Sequence, residues 1–197
     1  MTPAKNRIYL VSRSPRRREL LKQIGVSFDI IIADVDEEVL GNEPVHAYVA
    51  RIAKKKAEAG WQYVLDRKLP LYPVLAADTV IAFDKKIIGK PLHRQDAITM
   101  LRLLAGHKHQ VYSGVALAYT GKTTTRVSAS KVEMKNLSDK EIEHYVDSGE
   151  PLDKAGGYAI QGKAALFVTM LEGSYSGVVG LPLFETGQLL QQLGIEI

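Results

Sequence analysis

Ser12-Arg13-Ser14-Pro15-Arg16-Arg17-Arg18-Glu19-Leu20 combines a helix start with positive charge in the wrong place. Ser14 suits an N-cap and Pro15 the first helical position. Arginines in the first turn do not, because cations oppose the positive end of the helix dipole. A sequence that accepts this cost fits an anion there. Backbone N–H groups at a helix start, joined by guanidinium forks, suit a polyphosphate. The plainer reading is a solvated basic turn.

Asp78 is the second candidate, because its neighbours from Val74 to Phe83 are nearly all apolar. A desolvated carboxylate needs a partner. It either caps a neighbouring helix or bonds backbone amides, or serves as a metal ligand or general base at the rim of a cleft. Thr79 offers a hydroxyl at the same rim. Asp34, Asp36, Glu37 and Glu38 follow a strand, where α/β proteins place ligands. Most members of such a run are solvated, but one paired with Asp78 would hold a hard divalent cation through oxygen. Lys56 and Lys90 are the basic candidates, and Gly89 and Pro91 fix the backbone around Lys90. The glycine-rich stretch Asp153 to Gly162 lacks the P-loop and dinucleotide patterns, and its Gln161 could present an amide to a base edge. His46, His93, His107, His109 and His144 show no paired metal spacing, and Ser14 has no evident histidine partner for nucleophilic catalysis.

The elements that must position these residues alternate early and pair late. Ile8 to Val11 reads as a short buried strand, followed by a helix from Ser14 to about Gly25. Phe28 to Ala33 reads as a second buried strand, and Pro44 opens a helix to about Tyr63 with Val45, Tyr48, Val49 and Ile52 on one face. Val74 to Phe83 is the strongest strand. Asp84-Lys85-Lys86 turns into Ile87-Ile88, and a helix runs from about Arg94 to Ala105. Gln110 to Tyr119 and Thr123 to Lys135 form a hairpin about Gly121-Lys122, and Ser138-x-x-Glu141 is a capping box. A strand from Ala164 to Leu171 and a helix from about Phe184 to Leu193 close the chain. The pattern is α/β with a mixed sheet. No linker separates two halves, so residues 1–197 read as one domain with a loose tail over 1–7.

With 197 residues, 46% hydrophobic and 24% charged, the composition is that of a globular protein with a substantial core. There is no cysteine, which excludes disulfides and thiolate chemistry. The polar N-terminus and the short apolar run after it exclude a signal-peptide core or a membrane span, so a cytoplasmic location is expected. A net charge of +4 favours polyanionic ligands. No basic-aromatic platform, helix-turn-helix or zinc finger points to sequence-specific nucleic-acid binding.

Together, Ser12-x-Ser14-Pro15-Arg16-Arg17 with Glu19-Leu20-Leu21, Ala77-Asp78-Thr79, Gly89-Lys90-Pro91, and Asp153-Lys154-Ala155-Gly156 with Gln161-Gly162 resemble the Maf family of nucleotide pyrophosphatases, from about Ile8 to Leu193. The resemblance implies hydrolysis of nucleoside triphosphates to the monophosphate and pyrophosphate, with a divalent cation, Mg2+ or Mn2+. It implies an elongated, twisted mixed sheet flanked by helices, related to inosine triphosphatases, with a central cleft between two lobes, and a homodimer. Asp78 matches the catalytic acid/base position, with Glu37 as its partner in holding metal. Lys56 and Lys90 match the two catalytic lysines, and Ser12, Ser14, Arg16 and Arg17 fall in the phosphate-binding loop. Arg16, Thr79 and Gln161 match positions that accompany pyrimidine selectivity, which places the chain in the branch acting on dTTP and UTP. Arg13 and Val11 depart from the family pattern without touching a catalytic position. Two other readings compete: a pyrophosphatase for 7-methyl-GTP, and a nucleic-acid-binding or septum-regulating protein without catalysis.

Overall fold

The first three strands are joined in turn by two helices, the crossover connection that parallel strands need. A computed structural model describes residues 7–197 of the chain. The order is β1 (Arg7–Val11), α1 (Pro15–Gln23), β2 (Ser27–Ile31), α2 (Val45–Asp66) and β3 (Val74–Phe83). β1 lies between the other two, pairing in parallel with β2 (Val11 opposite Ile31) and with β3 (Val11 opposite Ala76). β4 (Lys86–Ile88) folds back antiparallel on β3, across a turn whose Asp84 and Lys85 both have positive φ, 48° and 65°. After α3 (Arg94–Leu104), β5 (Lys108–Tyr119) and β6 (Lys122–Met134) form a hairpin. Then come α4 (Asp139–Val146), β7 (Val168–Glu172), α5 (Tyr175–Val179) and α6 (Leu183–Gln191). The seven strands form a mixed sheet, ordered β2-β1-β3-β5-β6-β7 with β4 attached to β3.

The sequence-based elements hold, with four corrections. β2 is not a buried strand: it has one neighbour, and Ile30 on it is 43% exposed. Residues 163–167 form a 3-10 turn, and the strand begins only at Val168, where pairing with β6 starts opposite Met134. Its Ala164-Ala165 pair has little preference for extended backbone. Arg7, assigned to a loose tail, opens β1 and makes a two-pronged ion pair with Asp29; the rest of that expected tail, residues 1–6, lies outside the described residues. Ser14 occupies the N-cap of α1, but its side chain makes no capping bond. The α4 capping box forms as expected, with Glu141 N–H donating to Ser138 Oγ and Ser138 N–H to the Glu141 carboxylate. Among the described residues no helix is long and apolar enough to cross a membrane.

Backbone contacts divide the chain into two compact units, with β3, β5 and β6 contributing to both. The first holds residues 7–78, 113–128 and 180–197. Its core packs Val11, Val74 and Ala76 of the sheet against Ala53, Ala57 and Val64 of α2. The small residues on α2 let helix and sheet approach closely. Gly114 on β5 meets the backbone of α2, since a Cβ there would lie 2.5 Å from the Val49 carbonyl oxygen and 2.9 Å from its carbon. These are backbone atoms of α2, which cannot swing aside.

The second unit holds residues 79–112 and 129–179. Its core joins Ile98, Leu101 and Leu104 of α3 to Ile142, Tyr145 and Val146 of α4, over Val111, Val132 and Met134 of the strands. Buried polar contacts shape its glycine-rich segment. His109 Nε2 lies 2.7 Å from the Tyr158 hydroxyl, Ala159 N–H donates to the Tyr145 hydroxyl at 3.2 Å, and Gly156 N–H donates to the Gly89 carbonyl at 2.8 Å. His109 is thus a core histidine and not half of a zinc pair.

Two expectations follow from these packings. Gly114→Ala should destabilise the protein by about 2 kcal/mol or more, as overpacking against fixed atoms does, read as a lower urea midpoint with an unchanged m-value. Burial lowers the His109 pKa from 6.5 to about 4. Between those values the unfolded chain binds the extra proton, so this contribution is complete above pH 6.5 and fades as pH falls towards 4. At 1.36 kcal/mol per unit it amounts to about 3 kcal/mol. Urea unfolding from pH 7 to pH 4 should therefore fall less steeply for His109→Gln than for the parent.

Candidate active site

Strand alternation places Asp78. Val74, Ala76 and Asp78 share one face of β3, and the first two of these pack on α2. β1 ends at Val11, opposite Ala76, so Asp78 lies two residues beyond the end of its neighbour. The order β2-β1-β3 reverses direction at β1, and α/β sheets bind ligands at such a point, outside the carboxyl ends of the strands. The loop into α1, the loop after β2 and Asp78 all belong to that edge.

Lys56 projects from α2 towards the same place. Its Nζ lies 2.8 Å from Asp78 Oδ1 and 2.7 Å from Glu37 Oε1. The Lys56 and Asp78 side chains are 14% and 9% exposed, while Glu37 is half exposed. The lysine satisfies the buried aspartate, and Glu37 brings a second carboxylate to the same ammonium. Two acids converge on one lysine, with the Arg17 guanidinium close enough to interact with both charges. Hard oxygen donors in that arrangement suit a further cation.

The start of α1 lies in the same unit. Ser12 is buried, and its Oγ accepts the Ser14 N–H at 3.1 Å, shaping the turn into the helix. No acidic residue sits in the first turn and Ser14 does not cap it, so the helix start has kept its positive character. Among the described residues Arg16 has no side-chain hydrogen bond or ion pair and is only part-buried. Arg13, whose role the sequence leaves open, bonds both carboxylate oxygens of Asp34, at 3.2 and 3.1 Å. Both side chains are well exposed, so the pair contributes little to stability.

Arg17 has a different setting from the one its motif implies. Its Nε donates to the Gly180 carbonyl and its Nη1 to the Ala77 carbonyl, each at 2.7 Å. Burial pushes its pKa down, while the Asp78 charge pushes it up. The guanidinium therefore ties α1 to the backbone of β3 and to the chain before α6. Thr79, Lys90 and Gln161 belong to the other unit. Within it Thr79 is half-buried on β3, and Lys90 follows β4 in an exposed loop whose Gly89 carbonyl is held by Gly156. Gln161 is exposed in the turn before the last 3-10 segment.

Sequence reasoning missed the residues that hold the acidic loop. The Tyr48 hydroxyl donates to the Glu37 carbonyl at 2.9 Å. Arg51 donates to both Glu43 carboxylate oxygens at 2.8 and 2.6 Å and to the Glu38 carbonyl at 2.9 Å. Tyr48 had been read as an apolar-face residue only. The available signal was a tyrosine and an arginine three positions apart beside the buried stripe of an amphipathic helix. Removing Lys56 should cost more than a surface charge would, because it leaves two carboxylates facing each other. Lys56→Met should lose about 3 kcal/mol in urea unfolding, the lower range for breaking a buried pair, and Lys56→Arg distinctly less.

Residues 7–193 match the family model described as Maf-like protein. The dTTP/UTP pyrophosphatase of Nitrosomonas europaea is 53% identical, with 100% of this chain and 99% of that protein covered. Those of Dechloromonas aromatica (52%, covering 95% and 98%) and Chromobacterium violaceum (50%, covering 100% of both) are similar. Among solved structures, a Staphylococcus aureus Ham1 protein gives a TM-score of 0.43 at 14% identity over 66% of this chain and 72% of its own. With the model spanning nearly the full length and several relatives at half identity, the chain belongs to the Maf family.

Proposed function

We propose that this protein hydrolyses dTTP and UTP to the monophosphate and pyrophosphate. One observation carries the reading: Glu37 and Asp78 converge on Lys56 at the strand ends that also carry the uncapped, arginine-bearing start of α1. The relatives named dTTP/UTP pyrophosphatase support the substrate class. Residues 7–193 act as one functional unit, the span the family model matches.

The donor set fits Mg2+ or Mn2+. Magnesium is commonly held by one or two carboxylates, with substrate phosphates and water completing its shell, and Glu37 and Asp78 supply two. Among the described residues no three His, Asp or Glu side chains gather into a cage, so phosphate oxygens would share the coordination. When bound, the cation would offset charge at the attacked α-phosphate and make water more acidic. Asp78, sheltered from solvent, orients the attacking water and takes its proton. Lys56 steadies both carboxylates and offsets charge that builds on the phosphate oxygens. The N–H groups of the first turn of α1, with Arg16 and the Ser12 and Ser14 hydroxyls, hold the phosphate chain. Arg17 acts by fixing that turn. For Lys90 we propose a hold on the departing pyrophosphate, and for Thr79 and Gln161, with Arg16, the choice of a pyrimidine base. Those assignments rest on the family motifs. A cytoplasmic homodimer is the setting we propose, on composition and resemblance respectively.

The test is product identity and one carboxamide. Purified protein with Mg2+ or Mn2+ should convert dTTP and UTP to monophosphate and pyrophosphate, in preference to CTP and 7-methyl-GTP. Release of diphosphate and orthophosphate would place the attack on the wrong phosphorus. Asp78→Asn should keep the fold and lose activity by about two decades or more, the scale of removing one preorganised catalytic contact. Substantial remaining turnover would remove Asp78 from the chemistry.

A further inference from the structure

The loop that carries Glu37, residues 32–44, contains no helix or strand. Its backbone groups need partners other than a helix or strand ladder, and side chains from a short stretch of α2 supply several of them. Tyr48 holds the carbonyl of Glu37, Arg51 holds the carbonyl of Glu38 and the carboxylate of Glu43, and Lys56 holds the carboxylate of Glu37. Two local bonds add to these: Glu38 N–H donates to Asp36 Oδ1 at 3.0 Å, a turn closed across Glu37, and Glu43 N–H donates to the Leu40 carbonyl at 3.0 Å. Tyr48 and Lys56 are eight positions apart, just over two helical turns, so they project from one stripe of α2.

The parts of this grip are built for rigidity. The Arg51–Glu43 pair is bidentate and mostly shielded, at 20% and 13% exposure, so its geometry is specified more tightly than a surface pair. The Arg51 guanidinium also lies 5.5 Å from the Tyr48 ring centroid, which braces the two donors against each other. Tyr48 has its pKa pushed up to about 12, chiefly by burial and then by the charges of Asp78 and Glu37. Gly114 seats the backbone of α2 on the sheet at Val49, the residue after Tyr48. The chain of support runs from sheet to helix to loop to carboxylate.

We propose that Tyr48 and the Arg51–Glu43 pair are positioning residues for Glu37, and that they set the affinity of the carboxylate pair for a divalent cation more than the rate of the chemical step. This rests on the reading of Glu37 and Asp78 as cation ligands given above. Groups that orient a metal ligand govern its affinity because they hold it in place before the ion arrives. A loop without them still contains Glu37, but presents it over a wider range of positions.

The experiment compares the parent with Tyr48→Phe, Arg51→Gln, Arg51→Lys and Glu37→Gln. Free Mn2+ is followed by electron paramagnetic resonance as it is titrated into protein without nucleotide. Hydrogen exchange of the 36–43 amides and kcat for dTTP at saturating Mn2+ are measured on the same preparations. Tyr48→Phe removes one oxygen and keeps the ring, so it covers the case in which Arg51→Gln fails to fold. Tyr48→Phe and Arg51→Gln should weaken Mn2+ binding about tenfold, speed exchange across 36–43, and leave kcat within about twofold, a change of under 0.5 kcal/mol in the barrier. Arg51→Lys should recover part of the loss. Unchanged Mn2+ affinity in Tyr48→Phe, or a fall in kcat with affinity intact, overturns the proposal. Glu37→Gln separates the two layers: if it too leaves Mn2+ binding unchanged, the carboxylate reading itself is overturned.

Discussion

A single ammonium group organises the charged edge of this fold. Asp78 is buried by the face of β3 on which it falls, and a buried carboxylate is tolerated only if paired. Lys56 supplies the pair, and by accepting a second carboxylate it fixes where Glu37 must be. The rest of the first unit can be understood as what places that lysine. Alanines at 53 and 57 bring α2 close to the sheet, and Gly114 removes the last obstacle to its backbone.

Binary patterning made most of the fold legible. β1 and β3 are largely apolar runs, and α4 opens with a capping box, whereas α3 has His93 at its N-cap and no standard start signal. Position in the sheet was less legible. Phe28 to Ala33 reads as a buried strand, yet the strand formed there is an edge, because strand order is set by crossover connections that composition does not encode. The strand expected from Ala164 to Leu171 overlaps the 3-10 segment over 163–167, because its apolar run carries no period that separates the two.

Within the site, legibility followed chemistry. Asp78 is conspicuous because a charge among apolar neighbours demands an explanation, and Lys56 stands beside it as a basic candidate, while Glu37 is singled out of its acidic run by the family resemblance. Tyr48 and Arg51 were hidden, since their contribution lies in hydroxyl and guanidinium contacts to the backbone of a loop eleven and thirteen residues upstream. Arg17 shows the converse. Its motif marks it as a phosphate ligand, while its guanidinium also donates to two backbone carbonyls. A guanidinium has five donors, so a structural task and an anion-binding loop call for the same residue type, and sequence alone does not separate them.

The Arg17 tie has a thermodynamic consequence. The turn that would receive an anion is fastened to the carbonyl of Gly180, three residues before α6 begins. Loosening either end of that tie loosens the other, so occupancy of the turn and retention of the C-terminal helix share one folding equilibrium. By mass action, a ligand at one hundred times its dissociation constant adds about 2.7 kcal/mol to the folded state. A nucleotide held at that turn would in this way raise the protein's resistance to unfolding, and through that its lifetime against proteolysis.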